Sequence, residues 1–231
     1  MALSPRDAIV GVSTRADDAD SHLRRLAEGL PQRRIDLESV LAAQPDVVVR
    51  YWGGEPRLIA ALEGRGVRVV AIQEADDFAG VRANIRRVAA ALGQAKEGER
   101  RVRSLDAQIA AASGAWRGAT ALYLTPGGVT AGPGTLVDSI LRAAGITNAE
   151  RRRGYQTVSL EALALAPPRA VVLGFFDTSQ MAGASWSMGR HRVLQSIVQK
   201  NAVASLPGAM LGCPNWAAAD AVTLLATQAP R

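Results

Sequence analysis

The chain has 231 residues, 48% of them apolar and 21% charged, enough to bury one substantial core or two modest ones. It contains no run of about 18 apolar residues, which excludes a bilayer-spanning helix, and its single cysteine, Cys213, excludes an internal disulfide and a cysteine-built zinc site. The formal charge of +6 admits a polyanion as partner. However, Arg82, Arg86, Arg87, Arg100, Arg101 and Arg103 follow helical patterns interleaved with Glu97 and Glu99, and no recognition-helix or RNA-module signature accompanies them.

In chain order, Met1 to Val12 has neither an apolar signal core nor a small-residue cleavage site, so no export address is read there. Short apolar runs at Ile9–Val12 and Val67–Ile72 predict strands, with a helix from Arg57 to Leu62 before the second. From Val81 to Ile109, Val81, Ile85, Val88, Leu92, Ala95, Val102, Leu105 and Ile109 recur at helical steps and make one apolar stripe. One helix of roughly 30 residues would run about 45 Å. Gly93 and Gly98 weaken it by about 1 kcal/mol each relative to Ala, so two short helices are the alternative. Beyond it, Ala119–Leu124, Val171–Leu173 and Ala202–Leu206 predict strands, and helices start near Thr135, Met188 and Trp216.

An internal repeat organises this order. Laid over each other without a gap, Asp36-Leu37-Glu38-Ser39-Val40 falls on Ser159-Leu160-Glu161-Ala162-Leu163, Pro45 on Pro168, and Val47–Val49 on Ala170–Val172. Each copy starts with a capping residue, Asp36 or Ser159, whose side-chain oxygen can accept from a first-turn amide. Each helix is stopped by Pro45 or by Pro167-Pro168, and a Val-rich strand of the kind buried on both faces of a parallel sheet follows. The fold class expected is therefore α/β: two α/β lobes with mainly parallel sheets, joined by one long backbone helix, with a ligand cleft between the lobes. The boundaries expected are 1–77 for the N-terminal lobe, 78–113 for the connecting helix and 114–231 for the C-terminal lobe.

This arrangement resembles the solute receptors of metal-chelate ABC importers, the cobalamin, ferric-siderophore and haem binding proteins. The resemblance is carried by Leu37 through Val49, by Ser159-Leu160-Glu161-Ala162-Leu163, by Gly134-Thr135-Leu136 to Ala144-Gly145-Ile146-Thr147-Asn148, and by Leu206-Pro207-Gly208 through Cys213-Pro214. It implies a periplasmic, monomeric receptor that is not an enzyme and needs no cofactor of its own, because the chelate brings its cobalt or iron. It also implies a permease dimer as partner, with Glu38 and Glu161 as the docking carboxylates, one per lobe. A first-turn carboxylate also gains about 0.3–1 kcal/mol from the helix dipole wherever it occurs. Family members carry a strand and a helix before the segment matching Ile9 to Ser13, so the chain is expected to be shortened at its N-terminus, with its first strand and helix missing.

Ligands of open α/β sheets bind beyond the carboxyl ends of the strands. Aromatics are only 4% of this chain, yet Tyr51 and Trp52 follow one strand and Phe175 and Phe176 follow its repeat. Flat apolar walls suit a corrin, porphyrin or siderophore; Trp186 and Trp216 are expected to join from loops, with core packing as the alternative for Phe175 and Trp186. Arg50, Arg190 and Arg192 offer forked bonds to ligand carboxylates or phosphate. His191 is read as a polar contact and not as a metal ligand, since it lacks partner ligands and the protein itself is expected to build no metal site.

The main alternative is a nucleotide-using α/β enzyme with the glycine-rich loop 125–134 at its site and Asp138 nearby. That loop lacks the lysine of a phosphate-binding loop and the spacing of a dinucleotide fingerprint, and no catalytic constellation is tied to it. A glycine-rich lip on the ligand cleft is the preferred reading. A basic partner-binding module without a small ligand is the other alternative; nucleic acid is not expected.

Overall fold

The computed structural model describes residues 1–18, 21–51, 55–177 and 191–230. Within them the chain divides into two compact units, Met1–Glu74 with Arg82–Arg103, and Ala75–Val81 with Ser104–Arg231.

The first unit opens with a 3-10 turn at Arg6–Ala8. It continues through β1 (Val12–Ser13), α1 (Arg24–Ala27), β2 (Gln32–Arg33), α2 (Leu37–Ala42), β3 (Val47–Arg50), α3 (Pro56–Glu63) and β4 (Arg68–Ala71). β1 pairs in parallel with β2, and β3 with β4, with Val47 opposite Arg68 and Arg50 opposite Ala71. The strand expected at Ile9–Val12 is reduced to Val12–Ser13, because Ile9 caps the preceding turn. Nor is Val47–Val49 buried on both faces: Val49 is 38% exposed, since β3 has a single strand neighbour among the described residues. α3 starts with Pro56 in its first turn, where the missing amide proton costs nothing.

The helical stretch between the strands is helical but not continuous. α4 (Phe78–Ala91) and α5 (Ala95–Ala112) are separate, so the alternative of two helices is the correct one and the single 45 Å span is not formed. Gly93 takes φ +69°; its amide donates to the Ala90 carbonyl at 3.1 Å and that of Gln94 to the Ala89 carbonyl at 2.7 Å. This pair of bonds satisfies the last carbonyls of α4 and turns the chain. Arg86 then grips Glu99 through two bonds of 2.7 and 3.2 Å across 13 residues of sequence, a separation of about 20 Å in an unbroken helix. Gly98 leaves room for Ala89 where a side chain would stand.

The second unit contains β5 (Thr120–Leu124), β6 (Val129–Ala131), α6 (Leu136–Ala143), β7 (Thr147–Asn148), β8 (Tyr155–Thr157), α7 (Leu160–Leu165) and β9 (Val171–Gly174). After them come α8 (Arg192–Asn201), β10 (Ala202–Leu206), α9 (Gly208–Leu211) and α10 (Ala217–Thr227). The sheet runs β10-β9-β5-β7, all parallel. Here a repeat strand is buried as expected, with Val171 and Val172 both 0% exposed. Tyr123, Ile140, Leu141, Val172, Leu206, Val222 and Leu225 form the core on one side, and Leu124, Leu163, Val171, Leu194 and Ile197 a second cluster. Met188 lies outside the described residues, and the helix expected there is described from Arg192.

The two copies of the repeat fold alike. Leu37 and Leu160 start their helices, Ala42 and Leu165 end them, and the caps are Asp36, accepting from the Ser39 amide, and Ser159, accepting from the Ala162 amide. The Ser39 amide and hydroxyl hold the Asp36 carboxyl below its ordinary range. Gly93→Ala is expected to lower the unfolding free energy by about 1 kcal/mol, because a Cβ is disfavoured in the left-handed region. Urea titration checks this, and an unchanged midpoint would mean the α4 end is not built on that glycine.

Candidate functional site

After β5 the chain steps to β7 on one side, while β9 and β10 lie on the other. The direction of winding therefore reverses between β5 and β9, and ligands of such sheets bind outside the carboxyl ends of those strands. Three loops emerge there: Thr125–Gly128 after β5, Phe175–Asp177 after β9, and Pro207-Gly208 after β10.

These loops are tied down. The Gly208 amide donates to Asp177 Oδ1 at 2.8 Å, joining the β9 and β10 loops. In the β5 loop the Gly128 amide donates to the Thr125 carbonyl at 2.9 Å and the Val129 amide to Thr125 Oγ1 at 3.1 Å. Phe175 holds φ +63°, a left-handed conformation that costs a side-chain-bearing residue about 1–2 kcal/mol. Strain of this kind persists where the surroundings impose it, and it concentrates at ligand sites. Directly before it, Gly174 has no space for a side chain: a Cβ there would fall on the ring and hydroxyl of Tyr123.

The other residues singled out from sequence fall as follows. Phe176 is half-buried in the same loop as Phe175. Arg50 ends β3, half-buried, and Tyr51 after it donates its hydroxyl to Glu74 Oε2 at 2.9 Å, a partner that sequence did not reveal. Trp216 is the N-terminal flanking residue of α10 and is half-buried. Glu38 and Glu161 are exposed in the first turns of α2 and α7, and Arg192 is exposed at the start of α8. Trp52, Trp186 and Arg190 lie outside the described residues.

His191 caps α8, its Nδ1 accepting from the Val193 amide at 3.3 Å. Among the described residues no three His, Cys, Asp or Glu side chains converge on one point.

The glycine-rich loop 125–134 is not a free lip. Its middle forms β6, which pairs antiparallel with β8, and the Gly132 amide donates to the Gly154 carbonyl at 2.9 Å. A Cβ at Gly132 would meet the backbone of Arg152, and one at Gly134 the guanidinium of Arg153. Close approach does require these glycines, but the approaching group is the chain itself. Amides already committed in this way cannot cradle a phosphate.

Asp138 is equally committed. It is 3% exposed and accepts from Asn148 Nδ2 at 2.8 Å; Asn148 also donates to the Ala131 carbonyl at 2.8 Å and accepts from the Glu150 amide at 3.1 Å. Arg152 forks onto Glu150 at 3.0 and 2.7 Å. Asp138, Asn148 and Glu150 line an open depression of about 540 Å³ along the β7 edge, together with Arg142 and Arg151. Their chain of bonds fastens β6 and α6 to that edge.

The periplasmic binding protein family matches residues 2–209, and the chain belongs to that family. Among solved structures, a periplasmic haem-binding protein from Pseudomonas aeruginosa is 25% identical, with a TM-score of 0.63 over 98% of this chain and 88% of that one. The periplasmic haem-binding protein RhuT from Roseiflexus sp. RS-1, in apo form, is 23% identical, with a TM-score of 0.72 over 98% and 94%. The periplasmic vitamin B12 binding protein BtuF of Vibrio cholerae is 20% identical, with a TM-score of 0.59 over 98% and 90%. No curated protein matches the chain. The mainly parallel α/β architecture expected from the sequence is that of these binding proteins.

Two predictions follow from the site's framework. Gly174→Ala should cost about 1–3 kcal/mol by forcing the Tyr123 ring out of place, read from thermal unfolding. The fork of Arg152 holds the Glu150 carboxyl below the ordinary glutamate range, so its contribution is complete above roughly pH 5 and is lost as pH falls through the depressed folded value. Unfolding midpoints taken from about pH 6 down to 3 should therefore fall less steeply in Glu150→Gln than in the parent. Equal slopes would show that Glu150 takes no part in the acid response.

Proposed function

We propose that the protein is the solute receptor of an ABC importer and captures a metal chelate, a cobalamin, ferric siderophore or haem, at the carboxyl ends of its strands. The observation that carries this reading is the end of β9, where a half-buried Phe175 is held in a strained left-handed conformation over a winding reversal. An aromatic kept there against its backbone preference suits a flat apolar ligand that stacks and excludes water. The family supports the class, and the haem and vitamin B12 named for its structural neighbours support the chelate. Within the second unit, Phe176, Trp186 and Trp216 are the further stacking candidates of this reading and His191 a polar contact; the first unit's own candidates are Tyr51 and Trp52 for stacking and Arg50 for a polar contact. The metal arrives in the ligand.

Delivery is assigned to a permease dimer, with Glu38 and Glu161 as its docking carboxylates. Their support is equivalence: two exposed carboxylates at the same position of two identically capped helices. The receptor works as a monomer in the periplasm. In the loop 125–134 the amides of Thr125, Gly128, Val129 and Gly132 are used internally, and no observation favours the enzyme alternative.

Titration of tryptophan fluorescence and visible absorption with cyanocobalamin, haemin and ferric siderophores tests the reading, with native mass spectrometry for stoichiometry; binding of none of them would overturn it. Phe175→Gly is expected to weaken binding about tenfold or more without lowering the unfolding midpoint, since glycine relieves about 1–2 kcal/mol of left-handed strain and so offsets lost packing. The double variant Glu38→Ala, Glu161→Ala should keep chelate affinity and reduce uptake in vesicles containing the importer. Undiminished uptake would remove the docking role.

A further inference from the structure

Tyr123 stands opposite Val172 in the pairing of β5 with β9, yet its ring and hydroxyl lie against Gly174, two residues nearer the carboxyl ends of the strands. At about 3.3 Å per residue, the side chain thus leans along the strand by roughly 7 Å and brings its hydroxyl to the mouth of the sheet. That mouth is where the winding reverses and where the Phe175 loop emerges. The residue is 1% exposed; its hydroxyl has no hydrogen bond among the described residues and is not one of the fully buried unpartnered atoms, so it reaches the surface at that mouth. Tyrosines buried to this degree nearly always find a partner for this group. Burial, and after it the nearby Tyr155 phenol, push the Tyr123 phenol above its usual range, so it keeps its proton and can donate.

We propose that the Tyr123 hydroxyl is the polar floor of the ligand site in the second unit and donates a hydrogen bond to a carbonyl or carboxylate oxygen on the rim of the captured chelate. This rests on the receptor reading above. Cyanocobalamin would offer amide carbonyls and haemin its propionates, so the two probes separate the sources of that oxygen.

Tyr123→Phe tests it. The variant keeps the ring on Gly174 and removes only the hydroxyl, so the free protein should melt at the same temperature as the parent or higher. Its Kd for whichever of cyanocobalamin and haemin the parent binds should rise about three- to tenfold. An unchanged Kd, or a weakened one accompanied by a lower melting temperature of the free protein, would overturn the inference while leaving the receptor reading in place. A parent protein that binds neither probe nor any ferric siderophore would overturn both.

Discussion

Parallel pairing of β5 with β9 determines where the loops of the second unit emerge. Because Leu122 meets Val171 and Leu124 meets Leu173, both strands end at the same level. Val171, Val172 and Leu124, all 0% exposed, lock that register between two apolar clusters. A slip by one residue would turn each of these side chains to the opposite face. With the register held, Gly174 must accept the Tyr123 ring, Phe175 must turn left-handed, and Asp177 comes within reach of the Gly208 amide. The rigid scaffold thus imposes a strained loop that local preference would not choose.

Elsewhere the chain spends its polar groups on holding elements together. Asp138, Asn148, Glu150 and Arg152 form a continuous line of bonds from α6 to the β7 edge. Removing one member would leave a buried acceptor or donor without its partner, the costly direction of change. Glu97, by contrast, pairs with an exposed Arg100 and a half-buried Arg101 on its own helix, where contact with solvent limits the net effect of such pairs.

Family membership and geometry bear on different levels of function. Membership establishes a periplasmic binding protein, whereas the architecture alone is shared by proteins with different ligands. The side chains at the strand ends are where such proteins can differ, and in this chain Phe175 and Phe176 follow directly on β9.

The sequence by itself determined much of the order of elements. Capping residues at 36, 135 and 159, prolines after the repeat helices and unbroken Val-rich runs act through local sterics and nearby hydrogen bonds, so α2, α6, α7, β3 and β9 stand close to where the pattern put them. Phe175 and Phe176 were legible for the same reason, as scarce aromatics after a recognisable strand. The break after α4 was half-legible: Gly93 advertised a weak point, but closing it required Arg86 and Glu99 to meet across the turn. Tertiary structure alone decided the rest. The three-residue strands β6 and β8 have little pattern of their own and exist through each other; the loop glycines serve Arg152 and Arg153, which lie beyond α6 in the sequence. Tyr123 carries no signal in the sequence beyond its place in the strand run 119–124, because Val172 and Gly174 reach it only once two distant strands are side by side.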